Sequence, residues 1–321
     1  MRIVIALGGN ALLRKGQAPE AAVQQQHIIR ACRAIAEIAG DHDLIITHGN
    51  GPQVGLLALQ AENYKKVKPY PLDILDAETE GMIGYQIAQG LANALRGREV
   101  VSVLTQVEVD PDDPAFARPS KPVGPIYPAC DRQKLGDEFG WPLTEVAGGL
   151  RRVVPSPEPK SIVELSAIHL LVQHRYVVVC AGGGGIPVCA DRGRELRGVA
   201  AVIDKDLTSA LLAKELHAEL LLLLTDVDAV YERWGSDGAS PLRESTPEQL
   251  RGLDFEAGSM GPKVAAACAF VEASGGEARI GDLYDLPGVI SGHSGTRVRG
   301  DRDRTQTLHF EDHAGKCASG E

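Results

Sequence analysis

Arg2-Ile3-Val4-Ile5-Ala6-Leu7-Gly8-Gly9-Asn10 is a continuous apolar, β-branched run that stops at a glycine pair. A run without polar alternation suits a strand buried on both faces, as parallel sheets require. The pattern recurs along the 321 residues, at Leu44–His48, Val100–Thr105, Tyr176–Ala181, Ala200–Ile203, Leu220–Thr225, Ala278–Ile280 and, more weakly, Thr296–Val298. Between these runs lie stretches with helical spacing, as in Ile28, Cys32, Ile35 and Ala39, with Gly40 where a helix C-cap would fall. Tyr85 to Leu95 predicts another helix, ending near Gly97. Strands alternating with helices predict an α/β fold around a central, mostly parallel sheet.

The alternation breaks between Gln106 and Lys160, which hold ten of the nineteen prolines. Such density predicts loops and edge hairpins, so about 106–160 reads as a small insertion protruding from a single domain over 1–310. Trp141, Ile126, Tyr127 and Leu143 give the insertion apolar surface to fold around. The regular pattern resumes at Ser161, read as the N-cap of a helix over Ile162–His174. Residues 311–321 read as a frayed tail.

The net charge of −10 and pI near 5.4 argue against nucleic acid or an anionic membrane surface as partner. No apolar stretch is long enough to span a bilayer, and Met1 leads straight into a strand-like run, which predicts a cytoplasmic chain. The six cysteines form no Cys-x-x-Cys pair and sit mostly in apolar runs. Only Cys180, beside a glycine run, is a candidate thiol nucleophile.

Glycine-rich turns follow the apolar runs: Gly8-Gly9-Asn10, Gly49-Asn50-Gly51, Gly182-Gly183-Gly184-Gly185 and, loosely, Gly292 to Gly295. In an open α/β sheet, anions bind beyond the carboxyl ends of strands, where backbone N–H groups and helix N-termini converge. Taken singly, each turn is equally well explained by a backbone that needs positive φ. There is no Gly-x-x-x-x-Gly-Lys-Ser/Thr loop and no dinucleotide fingerprint, so any phosphate is held another way.

Only eleven of the thirty-three basic residues are lysine, and three stand among glycine, proline and aspartate: Lys121, Lys205 and Lys263. Lys263 follows Gly261-Pro262 at a predicted helix start, where the helix dipole disfavours a cation unless an anion is near. Lys205 lies between Asp204 and Asp206, a pattern that also fits a solvated cap, with Asp206 as a capping candidate. Lys121, in Ser120-Lys121-Pro122, taken alone reads as a loop charge. Phosphoryl transfer gives these residue types a common purpose, because its catalysis is positioning plus stabilisation of charge on oxygens. No Gly-x-Ser-x-Gly or zinc-ligand spacing competes, and any metal should be Mg²⁺ held mainly through nucleotide phosphates.

Taken together the motifs resemble the carbamate kinases, within the amino-acid-kinase family. The matching pieces include Ala6–Leu12, His48–Gly55, Glu80–Tyr85, Ser120–Pro125, Gly182–Val188, Val202–Asp206, Leu224–Tyr231 and Gly258–Val264, in order along nearly the whole chain. The resemblance implies an open three-layer αβα sandwich with a mostly parallel eight-stranded sheet, a small protruding subdomain and a homodimer. It implies reversible phosphoryl transfer between ATP and carbamate, used catabolically to make ATP from carbamoyl phosphate, as in arginine or agmatine breakdown. Carbamate would sit over Gly8, Gly9, Asn10, Gly49, Asn50 and Gly51. Gly183, Gly184, Thr225, Asp226, Val230, Tyr231, Met260 and Pro262 would serve the nucleotide. Lys205 and Lys263 would stabilise the transferring phosphoryl group, Asp206 would orient them, and Lys121 would reach in from the insertion. Other family members carry a catalytic lysine two residues before the first glycine pair; here that position is Ala6, and Lys121 is expected to substitute. Two alternatives stand: a sister kinase acting on another small acid, and a non-catalytic nucleotide-binding sensor.

Overall fold

A computed structural model describes residues 1–13, 17, 20–40, 42–190, 195–255 and 260–301, with Asn10 and Ala11 as backbone only. The tail expected at 311–321 and the residues Gly258 and Ser259 lie outside this set.

The eight-stranded sheet runs in the order Glu244–Ser245, Thr296–Val298, Glu277–Asp282, Leu220–Thr225, Arg2–Leu7, Asp43–His48, Val177–Val179, Val100–Ser102. Neighbours pair in parallel except Thr296–Val298 against Glu277–Asp282. Because side chains alternate across a strand, each central strand feeds two cores. Val4, Ala6, Ile45, Val178, Leu221 and Leu223 pack with the Lys205–Glu215 and Met260–Ser274 helices. Ile3, Ile5, Leu7, Leu44, Ile46 and Leu222 pack with Ala21–Ile38 and Leu72–Ala94 on the other face. The result is the three-layer αβα sandwich.

Ala200–Ile203 is not a strand. Ala201, Val202 and Ile203 are buried as irregular backbone, and the Val202 N–H donates to Pro155 O at 3.0 Å, so the run joins the Pro155 segment instead of the sheet. The sheet's remaining strand is the Glu244–Ser245 edge, too short and polar to register as an apolar run. Ser161 caps no helix: Pro159–Ile162 is a strand paired with Gln106–Val109, and the helix begins at Leu165.

Gln106–Val109 lies in a four-stranded sheet with Pro159–Ile162, Ile186–Ala190 and Leu196–Gly198. Lys121–Tyr127, Leu143–Val146 and Gly149–Val154 form a separate antiparallel sheet. That sheet sits on the Gly51–Asn63 helix through a cluster including Val54, Val123, Tyr127, Trp141 and Leu150. Ile126, expected to be part of its core, is exposed. At the joint, Gly55 meets Gly124 so closely that a Cβ on Gly55 would lie 2.0 Å from the Gly124 Cα.

Candidate active site

The parallel register brings Leu7 level with His48 on one side and Leu224 on the other, so three chain turns leave the sheet at one edge. The Gly8 N–H donates to Leu224 O at 3.0 Å, and a Cβ on Gly8 would lie 2.8 Å from that oxygen. The Gly9 and Gly49 turns touch: a Cβ on Gly49 would lie 3.3 Å from the Gly9 nitrogen and 3.7 Å from Lys205 Cδ. Two of the expected anion turns and one of the three lysines thus share one pocket. Gly51 opens the Gly51–Asn63 helix, with Pro52 next in line, and the Gln53 and Val54 N–H groups donate to Asn50 O at 2.9 Å. The Asn10 side chain lies outside what is described.

The Gly182–Gly185 turn closes the pocket from the next strand. Gly183, Gly184 and Gly185 have φ of 71°, 100° and 87°, and a Cβ on Gly183 would lie 2.3 Å from Asn50 Nδ2. Glu80 pins this turn: Oε1 accepts from the Gly182 N–H at 2.9 Å and Oε2 from the Thr105 N–H at 3.2 Å. Burial pushes the Glu80 carboxyl up to about 8, against the pull of those two donors. Beneath the turn His48 is fully buried; burial lowers its imidazole to about 4, and Nε2 has no partner among the described residues. A His that stays neutral here adds no charge beside the lysines.

Asp206 holds the centre. Its Oδ1 lies 2.5 Å from Lys205 Nζ and its Oδ2 lies 3.1 Å from Lys263 Nζ, and all three side chains are nearly buried. Burial pushes the Asp206 carboxyl up, but Lys205 and Lys263 outweigh it and hold it well below the ordinary carboxylate value. Burial lowers Lys205, with Asp206 opposing. The sequence reading offered Asp206 as a helix cap, but the cap is Asp204, whose Oδ1 accepts from the Asp206 N–H at 2.9 Å. Asp204 Oδ2 also takes Lys121 Nζ at 2.8 Å. Lys121 is therefore a strand residue tied to the rim of the pocket, not a free loop charge. Burial raises the Asp204 carboxyl, Lys121 lowers it, and the net displacement is downward.

Asp204 was missed as a site residue although it stands in the quoted Asp-Lys-Asp motif. Asp76 and Thr79 were missed, and Glu80 was given no role although it opens the quoted Glu80–Tyr85 piece, because only the fold brings this helix under Asn50 and Gly182. Ala6, where a lysine was expected in other family members, is fully buried. Cys180 is buried and its thiol is pushed up by burial, which makes it inert.

A cleft of about 550 Å³ opens next to the lysines, lined by Thr225, Asp226, Tyr231, Trp234, Phe255 and Met260 among others. Met260 begins the helix that carries Lys263 three residues later, so the cleft edge and Lys263 share the first turn of one helix. Val230 does not line it: its side chain is in the core and its N–H donates to Thr296 Oγ1 at 2.8 Å. Pro262 does not line it either, and Gly183 and Gly184 lie against Asn50 and Ile203. Among the described residues no group of three or more His, Cys, Asp or Glu could hold a metal ion, and no helix is long and apolar enough to cross a membrane.

Residues 1–282 match the amino acid kinase family. The chain belongs to that family. It is 52% identical to the carbamate kinase of Rhizobium meliloti over 301 residues, covering 93% of each chain. It is 49% identical to the carbamate kinase of Haemophilus influenzae, covering 93% of this chain and 96% of that one. The structure superposes on Giardia lamblia carbamate kinase bound to AMP-PNP with a TM-score of 0.85 and 38% identity, covering 94% and 98% of the two chains. Within the family, then, this kinase stands with the carbamate kinases.

Proposed function

We propose that the protein is a carbamate kinase, moving a phosphoryl group reversibly between ATP and carbamate. The observation that carries this reading is the buried Lys205–Asp206–Lys263 unit, set between a nucleotide-sized cleft and the touching Gly9 and Gly49 turns. ATP occupies the cleft along Thr225, Asp226, Tyr231 and Met260, with its terminal phosphate at the lysines. Val230 and Pro262 serve the nucleotide indirectly, by shaping the backbone that carries Tyr231 and Lys263.

Carbamate lies over Gly8, Gly9, Asn10, Gly49, Asn50 and Gly51, with Gly183 and Gly184 closing the pocket. A carboxylate oxygen of carbamate attacks the γ-phosphorus, the bond to the β-bridging oxygen breaks, and ADP leaves with that electron pair. No protein nucleophile is needed. Negative charge accumulates on transferring oxygens, and Lys205 and Lys263, preorganised by Asp206, meet it without reorganisation. Lys121, tethered to Asp204, completes the cationic ring from the segment about 106–160, which protrudes from the single 1–310 unit.

Mg²⁺ fits as a passenger of the nucleotide, because Asp204 and Asp206 are each engaged by lysine. It would shield the phosphate charge. The catabolic direction, making ATP from carbamoyl phosphate, is our reading of its use, as in arginine or agmatine breakdown, and we place the enzyme in the cytoplasm with its ADP supply. A homodimer would cover Met82, Tyr85 and Leu104, which stand exposed near the Val100–Ser102 edge strand.

The test is ATP formation from Mg-ADP and carbamoyl phosphate by purified protein, beside ATP with acetylglutamate or aspartate as acceptors. Turnover confined to the carbamoyl couple supports the reading, and turnover confined to another acceptor overturns it.

A further inference from the structure

Asn50 stands at the head of the Gly51–Asn63 helix, 2% exposed, with its amide wedged against Gly183. Nδ2 donates to Asp76 Oδ1 at 2.9 Å and to Thr79 Oγ1 at 2.9 Å. The Thr79 hydroxyl commits its own proton to main-chain carbonyls of its helix, Leu75 O at 3.0 Å and Asp76 O at 2.9 Å. Toward Asn50 it can therefore only accept. Asp76 Oδ1 accepts the other bond from Nδ2, while its Oδ2 has no partner among the described residues. Turning the amide over would set Oδ1 against the Thr79 acceptor and break both Nδ2 hydrogen bonds in a buried site. The amide thus has one orientation. Its Oδ1 faces away from the Asp76–Thr79 pair, beside Gly183, and accepts no hydrogen bond among the described residues.

We propose that Asp76 and Thr79 are positioning residues that lock Asn50 as a hydrogen-bond acceptor for the N–H of the phosphoryl acceptor. The site thereby selects carbamate, which carries an amino group, over a carboxylate of the same shape that carries a methyl group there. This rests on the functional reading above, since Asn50 is placed over the carbamate pocket. A fixed acceptor discriminates well because an analogue without N–H leaves Oδ1 desolvated and unpaired. Sites built to bond a substrate N–H or O–H reject analogues lacking it by about 10⁴-fold or more, whereas shape alone gives about 10–200-fold.

The experiment measures ATP formation from Mg-ADP with carbamoyl phosphate and with acetyl phosphate, reporting the ratio of the two kcat/KM values. The expected ratio for the unaltered chain is about 10⁴ or more. Thr79→Val keeps the shape but removes an acceptor, freeing the amide to turn; the ratio should fall about tenfold or more, through the carbamoyl phosphate rate alone. Thr79→Ser restores the acceptor and should keep the original ratio. Asn50→Ala, which removes the acceptor itself, should bring the ratio below about 200, the range of shape alone. Equal losses on both phosphates in Thr79→Val, or an unaltered ratio in Asn50→Ala, would overturn the proposal. No ATP from either phosphate with the unaltered chain would instead overturn the functional reading, and this inference with it.

Discussion

Lys263→Met isolates one charge of the central unit while leaving its frame in place. Lys263 Nζ lies 3.1 Å from Asp206 Oδ2, whereas Lys205 holds the other oxygen at 2.5 Å. Removing Lys263 therefore does not leave Asp206 as an unpaired buried charge. Methionine refills much of the volume, and the desolvation cost of a buried ammonium disappears with it. The expected change in stability is within about 1 kcal/mol, read by thermal or urea unfolding. Catalysis should respond differently. A preorganised donor aimed at developing negative charge contributes about 2.7–4 kcal/mol, so kcat should fall about 10²–10³-fold. The cleft residues Thr225, Asp226, Tyr231 and Met260 are untouched, so KM for Mg-ADP should stay within about threefold. The assay is initial-rate ATP formation at saturating carbamoyl phosphate. A folded variant with kcat within about tenfold of the parent would refute the role given to Lys263, since the loss assigned to a donor of this kind is larger.

Asp206→Ala should be worse for the fold than Lys263→Met, because it leaves two buried ammonium groups facing each other; breaking such a pair costs about 3–5 kcal/mol, checked by urea unfolding. Glu80, raised from 4.5 to about 8 in the folded chain, contributes stability that is present below pH 4.5 and is lost as pH rises through 8. The slope approaches about 1.4 kcal/mol per pH unit, and Glu80→Gln should flatten it in unfolding curves taken between pH 5 and 8. Gly183→Ala combines a positive φ with a Cβ placed 2.3 Å from Asn50 Nδ2; it should raise KM for carbamoyl phosphate more than KM for Mg-ADP, measured by varying each substrate in turn.

Much of the architecture was legible because buried parallel strands write themselves as unbroken apolar runs. Arg2–Leu7, Leu220–Thr225 and their neighbours needed only that rule. Ala200–Ile203 misled for the same reason: apolar residues are buried there too, but against Pro155 and the Lys205 helix, and composition does not distinguish the two burials. The Glu244–Ser245 edge escaped because two polar residues carry no periodicity. In the site, the lysines stood out because they are rare and set among glycine and proline. Asp76, Thr79 and Glu80 lie ahead of the helix expected over Tyr85 to Leu95, and only tertiary packing turns them toward Asn50 and the glycine turn. The capping role fell to Asp204 and not Asp206 for a local reason. Both flank Lys205, and the helix boundary decides which one caps.

The Gly55–Gly124 contact is a joint made of main chain alone. Side chains at a contact hop among rotamers, so whatever they support inherits that slack; a main-chain bearing has no rotamers to sample. Lys121 leaves the same strand three residues before Gly124, so the tip that meets Asp204 is aimed from a mount with little play. At this point of the seat the sequence carries no side chain at all, and enlarging either glycine by one methyl group would misalign the lysine without touching it.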